Sequence, residues 1–250
     1  MSRKSYQITP QRAGFSDVPL QEIEPAELAR RANGWARPLR SSEVSCLLAH
    51  REAWLYVVSS GFPHLIIEDD AVLSTDTPEL ISDLYGAKGI DYVCFEALKN
   101  SKVLTNREEI IPGSRYSLSV IVQNRAGAGA YFLFPAGARK LLDFTESWSP
   151  LADSAMNLCP NVVRVQVVPA AATQAFLIAN STTHQSSTAS GPRPSYPSLK
   201  QYIIGKLRRL RVSWVIGIRQ LLYIGRSKER TIAFDLSKAA MSVDDIAQIF

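Results

Sequence analysis

Between Ser41 and Gly61 the chain reads "SSEVSCLLAHREAWLYVVSSG", and Val44, Leu47, Leu48, Leu55 and Val58 fall at helical spacing. Serine as N-cap, Glu43 in the first turn and Gly61 just past the end are the start and stop signals of a helix. Before it, the first forty residues are polar and punctuated by Arg and Pro, with one short helical candidate, "PAELARRA". After it, the apolar "HLII" predicts a strand over 64–70 that closes on Glu68, Asp69 and Asp70. "STDTPELISDLYG" carries helix signals, and "IDYVCFEAL" is a second β-rich run that also closes on an acid, Glu96. "RYSLSVIVQ" is a weaker strand, "AGAGAYFLFPAGARKLLDF" reads as strand, turn and helix, and "NVVRVQVVPAAATQ" is again β-rich. Strands alternating with helices predict an α/β domain whose central sheet is mostly parallel and flanked by helices. In such sheets ligands gather at the carboxyl ends of the strands, where both acidic segments fall.

Three successive acids at a strand end demand an explanation, because burying an unpaired carboxylate costs several kcal/mol. Strand alternation puts Glu68 and Asp70 on one side and Asp69 on the other. Two carboxylates pointing the same way repel, and a divalent cation relieves that repulsion. Mg²⁺ and Mn²⁺ prefer oxygen ligands and commonly take one or two carboxylates together with phosphate oxygens. A metal–diphosphate ligand therefore answers the acidic triplet, against the simpler reading of a solvated turn.

Composition narrows the setting. The net charge of +5 is modest but uneven, with nine Lys/Arg and one acid, Glu229, between Lys200 and Arg230. Cys46, Cys94 and Cys159 form no C-x-x-C pair, which argues against a zinc site or disulfide framework and for reduced thiols. Neither the N-terminal "MSRKSYQITPQRAGFSDV" nor the apolar "VSWVIGI" has the length of a signal peptide core or a membrane span, so the expected location is cytoplasmic. "NSTTHQSSTASGPRPSYPS" reads as a loop or linker. The expected organisation is a catalytic domain over 1–180, a linker over 181–198 and a basic helical extension over 199–250.

The stretch "SSEVSCLLAHREAWLYVVSSGFPHLIIEDDAVLS" resembles the hallmark of glycosyltransferase family 25, which includes enzymes of lipooligosaccharide synthesis. Glu43, Cys46, His50 and Trp54 match the family's G-E-x-G-C-x-x-S-H-x-x-x-W helix, and Glu68, Asp69 and Asp70 its L-E-D-D-V strand. "DYVCFEAL" is similar to a strand that places Glu96, "GAGAYFLFPAGARKLL" to a G-T-x-x-Y-x-I-S-x-x-G-A-x-K-L-L block, and "SPLADSAM" to a P-x-D block that places Asp153. "VVPAAATQ" is similar to the P-x-x-x-Q segment that follows. The likeness runs in order from about 40 to 180. It implies a GT-A-like fold, a UDP-sugar donor (galactose being the favoured sugar), Mn²⁺ or Mg²⁺, inversion at the anomeric carbon, and a lipid-linked or cell-surface glycan acceptor such as lipopolysaccharide. The V-I-N-L-x-R strand with which family members open has no counterpart in the first forty residues, where only "VPLQEIEPAEL" matches the segment after it. A catalytic domain without its usual first strand is the expectation. A degenerate, membrane-peripheral glycan- or nucleotide-binding protein of the same fold is the alternative.

Roles follow from these matches. Asp70 and Glu68 are the expected metal ligands, with Glu68, Asp69, His50 and Glu43 at the donor. Glu43, Cys46, His50 and Trp54 share one helix face, so core packing competes with a binding role for that face. Asp153 is the candidate general base, with Glu96 as competitor; a place at a helix start is the alternative for Asp153. Gly127 and Gly129 form a lone G-x-G, too little for a phosphate loop and as well explained by close packing. In the basic tail, Trp, Ile and Leu interleaved with Lys and Arg suit a helix on the anionic inner leaflet of a membrane, against the alternative of an ordinary solvated helical pair. No nucleic-acid motif accompanies the charge.

Overall fold

The computed structural model of the protein describes residues 22–97, 100–124, 127–178 and 194–240. The expected linker over 181–198 lies outside these residues as far as 193, and so does the end of the basic extension beyond 240. Helix α1 spans Pro25–Ala32 and α2 Ser41–Ser60. The α2 stop is as expected, with Gly61 in the left-handed region at φ 73°. Its start differs. Arg40 is the N-cap residue, and the Glu43 carboxylate accepts the Arg40 backbone N–H at 2.8 Å in place of a serine hydroxyl. Arg37 grips the same carboxylate with both Nη atoms, at 2.9 and 2.6 Å, and that pairing fixes where the helix begins.

Strand β1 (His64–Ile67) is followed by β2 (Ala71–Leu73), α3 (Thr77–Leu84), β3 (Tyr92–Cys94), β4 (Lys102–Ile110), β5 (Ser117–Gln123), β6 (Ala130–Leu133), α4 (Pro135–Ser147) and α5 (Ala152–Leu158). β7 (Arg164–Val168), β8 (Ala172–Gln174), α6 (Ala175–Ile178), α7 (Leu199–Leu222) and β9 (Ser227–Arg230) complete the chain. Seven strands form the main sheet in the order β1-β6-β3-β7-β5-β4-β9, and β2 pairs with β8 in a second, two-stranded sheet.

The expected mostly parallel sheet is not what forms. Only β3 and β7 pair in parallel; β1–β6, β6–β3, β7–β5, β5–β4 and β4–β9 are all antiparallel. The reason lies in the connections. Only β4 and β5 follow one another as a hairpin; the links from β3 to β4 and from β5 to β6 each pass over two intervening strands, so each strand's neighbours, and with them its pairing direction, are set by where it inserts. β4 had no periodic apolar signal because Asn106–Ile110 are exposed, while Lys102, Leu104 and Thr105 are buried. The tail is helical only over α7. The chain then turns into β9, whose residues Ser227–Arg230 pair with Lys102–Thr105 and extend the main sheet.

Alternation along the strands sorts two cores onto opposite faces of the sheet. Tyr92, Cys94, Tyr131 and Leu133 face Leu47, Trp54 and Val57 of α2, Leu141 of α4 and Met156 of α5. Val93, Phe95, Ala130 and Phe132 face Leu80 and Leu84 of α3 and Ala171–Ala172. The parity that puts Ile66 and Cys94 against α2 carries forward to Glu68 and Glu96, just beyond β1 and β3.

The segment "PAGARKLL" has a packing role that its composition hides. Gly137 sits so close to the Asp91 carbonyl that an added Cβ would overlap it. Lys140, one turn on, pairs with the Asp91 carboxylate at 2.6 Å, and that carboxylate also accepts the Val163 N–H at 2.7 Å. Helix α4 is thereby pinned where β3 begins. Gly137→Ala should destabilise the protein by about 2 kcal/mol, the usual scale of overpacking. Urea denaturation checks this, with the exposed-loop change Gly86→Ala, whose Cβ meets nothing within 4 Å, as the control.

Candidate active site

The two acid-bearing strand ends meet at one glycine. β1 and β3 both run antiparallel to β6, one on each side, so their carboxyl ends flank the residue that precedes it, Gly129. The Gly129 carbonyl accepts the Glu68 N–H at 2.8 Å, and the Gly129 N–H reaches Glu96 Oε2 at 3.3 Å. A Cβ there would lie 2.8 Å from Glu96 Oε1 and 3.3 Å from Gln174 Nε2. Gly129 is thus small because Glu96 packs on it.

The strand ends at Ile67, and the triplet lies in a turn closed by the Ala71 N–H on the Glu68 carbonyl at 3.2 Å. Glu68 and Asp70 are half-buried and Asp69 is exposed, and the Asp70 carbonyl accepts the Ala175 N–H at 2.9 Å. Burial first, then the negative charges of Glu68 and Asp69, push the Asp70 carboxyl up to about 6. Asp70 Oδ1 is buried with no hydrogen-bond partner among the described residues.

Glu96 is buried, and its Oε1 likewise lacks a hydrogen-bond partner among the described residues. Burial raises its carboxyl to about 7; the Lys102 charge acts the other way, and Glu68 and Asp70 add to the rise. Lys102 is itself buried, and its ammonium is spent on the Glu96 carbonyl at 2.8 Å and on Gln166 Oε1. Asp153, in the first turn of α5, is also shifted upward, mainly by burial and also by Glu68, with His50 and its Ser154 hydrogen bonds opposing. The negative charge of Glu68 thus contributes to the upward shift of Asp70, Glu96 and Asp153 alike.

His50 joins this group through the core. The Trp54 indole, which can only donate, gives its N–H to Tyr131 Oη at 2.9 Å. Tyr131 Oη lies 2.8 Å from His50 Nδ1, and His50 Nε2 lies 3.4 Å from Glu68 Oε1. Within this trio the Tyr131 hydroxyl is satisfied when it donates to Nδ1, a tautomer that places the ring N–H on Nε2, facing Glu68. Donors then run in one direction from Trp54 through Tyr131 and His50 to the carboxylate. Cys46, His50 and Glu68 bring ligand-type atoms within 4.8 Å of one another. With Nε2 protonated, this chain favours a hydrogen bond to Glu68 over coordination of a metal by the imidazole.

Glu43 is not brought to the acidic cluster directly. It holds Arg37, whose guanidinium is the group that senses Asp153. Sequence reasoning assigned nothing to Arg37, Tyr131 or Lys102. Tyr131 falls at the Tyr of the quoted G-T-x-x-Y block, which was its available signal; Arg37 and Lys102 had none.

The family profile of glycosyltransferase family 25 (LPS biosynthesis protein) matches residues 22–156, more than half of the 250 residues. The chain belongs to glycosyltransferase family 25 and is a glycosyltransferase of lipopolysaccharide biosynthesis, for which a nucleotide-sugar donor and a glycan acceptor are the general substrates. No curated protein gives a significant match.

Because Glu96 titrates higher when folded than when unfolded, the native state holds a proton that the unfolded chain releases. Stability is accordingly lost as pH rises from about 4.5 to about 7. Glu96→Gln should raise the melting temperature at pH 8 and leave it nearly unchanged at pH 4, as read by thermal scans of the metal-free protein.

Proposed function

We propose that this glycosyltransferase moves a sugar, galactose in the first instance, from a UDP-sugar to lipopolysaccharide or a related surface glycan with inversion at the anomeric carbon. The observation that carries the reading is the meeting of Glu68 and Glu96 at Gly129, with Asp70 in the adjoining turn, together with the upward shift of the Asp70, Glu96 and Asp153 carboxyls. A divalent cation suits these residues, since Asp70 Oδ1 is a buried oxygen without a hydrogen-bond partner among the described residues and its neighbours Glu68 and Asp69 are acids. Asp70 and Glu68 are the proposed ligands of Mn²⁺ or Mg²⁺, which when bound neutralises charge on the leaving diphosphate. His50, through Nε2–H, orients Glu68, while Asp69, exposed at the turn, faces the donor. Glu43 acts at the donor indirectly, by holding Arg37.

The acceptor hydroxyl oxygen bonds to the anomeric carbon as the bond from that carbon to the diphosphate oxygen breaks. The diphosphate leaves with the electron pair, and Asp153 takes the hydroxyl proton. An upward-shifted carboxylate is a better base for that proton than one at the ordinary value. Glu96, more deeply buried and raised to about 7, is the competing base.

Calorimetric titration of UDP with and without Mn²⁺ tests the donor site. Binding should require the metal and be lost in Asp70→Ala; equal binding without Mn²⁺ would refute the assignment. Asp153→Asn should lower transfer by about 10²-fold while donor binding persists. Near-normal turnover in that variant moves the base to Glu96. Metal-dependent UDP binding with no transfer to any acceptor would instead favour a binding protein that has kept the fold.

A further inference from the structure

Helix α7 is held to the protein by one face only. Arg208 Nη1 donates to the carbonyls of Asn33 at 2.6 Å and Trp35 at 3.2 Å, and Arg219 Nη1 to that of Asn157 at 2.7 Å. Gly205 is buried against the Tyr196 ring, and Val212 packs on the cluster of Trp35, Leu39 and Val44. On the opposite face, Ile203, Leu207, Leu210, Trp214, Ile218 and Leu221 recur every three or four residues and are 43–70% exposed. Among the described residues nothing covers this stripe, and soluble monomers rarely leave so continuous an apolar surface bare.

Its flanks are cationic. By helical position Lys206 and Arg209 border the stripe on one side and Lys200 and Arg211 on the other, with Arg211 seated 4.7 Å over the Trp148 ring. The helix contains no Asp or Glu along its 24 residues. That charge pattern selects the partner. A second copy of the chain would set cations against cations. A nucleic acid would meet the cations and leave the apolar stripe unmatched. A lipid surface with anionic headgroups satisfies both features, and no described helix is long and apolar enough to cross a membrane, so α7 would lie in the interfacial plane.

We propose that the outer face of α7 docks this protein on an anionic lipid bilayer, with the apolar stripe in the interfacial layer and the flanking Lys and Arg on lipid phosphates. The inference is independent of the chemistry assigned to the acidic site. An acceptor anchored in lipid would then be met by diffusion in two dimensions.

Sedimentation of the full chain with vesicles of phosphatidylcholine alone, or of phosphatidylcholine with phosphatidylglycerol, tests it at low and high salt. Binding should appear with the anionic vesicles and fade as salt shortens the Debye length below about 10 Å. Each cation near the surface is worth about a five-fold change in partitioning, so Lys206→Ser with Arg209→Ser should weaken binding by more than ten-fold. Leu210→Ser with Trp214→Ser should weaken it comparably while transfer to an acceptor in solution stays unchanged. Equal binding to both vesicle types, or binding unaltered by the second pair, overturns the proposal. So does a dimer in solution that the second pair dissociates, or retention on single-stranded nucleic acid without retention on vesicles.

Discussion

Carboxylates taken out of water are costly, and this protein brings two acid-bearing strand ends together at one glycine. Gly129 ties the ends of β1 and β3 together, and the charge of Glu68, anchored by its backbone to that glycine, bears on Asp70, Glu96 and Asp153. Lys102 is a buried cation that acts on Glu96, yet its ammonium is directed to a carbonyl and a glutamine. The cluster stays under electrostatic tension, which is relieved by protons in the metal-free protein and by a cation in the proposed reaction.

The remaining architecture holds that tension in place. Two packed faces of the sheet hold the strands, α4 is pinned through Gly137 and Lys140 to Asp91 where β3 begins, and the Trp54–Tyr131–His50 chain from α2 reaches Glu68 just beyond β1. Helix α2 contributes twice: its middle supplies His50, and its first turn supplies Glu43, which through Arg37 reaches towards Asp153. The apolar side of α2 is therefore both core and scaffold, so the choice between packing and function posed for its residues does not apply to the helix as a whole. Trp54 packs and donates, whereas His50 is buried and meets Glu68.

Helix α7 stands at the other extreme of the molecule's economy of contacts. Hydrogen bonds from Arg208, Arg219 and Gln220 and a few apolar contacts hold it to the protein, and the following strand β9 binds the segment into the main sheet. The tail is thus fastened to the body of the protein along α7 and to the main sheet through β9, while the outer side of α7 remains exposed among the described residues.

Much of this was legible in the chain itself. Helix α2 with its Gly61 stop, the strand before the acids, Glu96 at the next strand end and the Asp153 segment all follow from local periodicity and ordered motifs, because period and caps are properties of neighbouring residues. Alternation put Glu68 and Asp70 on one side against Asp69; the strand stops at Ile67 instead, and in the turn that follows Glu68 and Asp70 are half-buried while Asp69 is exposed. Strand direction did not follow, since it depends on which strands become neighbours, and β6 inserts in reverse between β1 and β3. Nor did the partners of the buried groups. Arg37 on Glu43, Tyr131 between Trp54 and His50, and Gly129 against Glu96 are contacts across 6, 77 to 81, and 33 residues. The sequence by itself determined which side chains could carry charge at strand ends; only tertiary structure decided which of those charges face one another, because proximity across a sheet is set by register and packing.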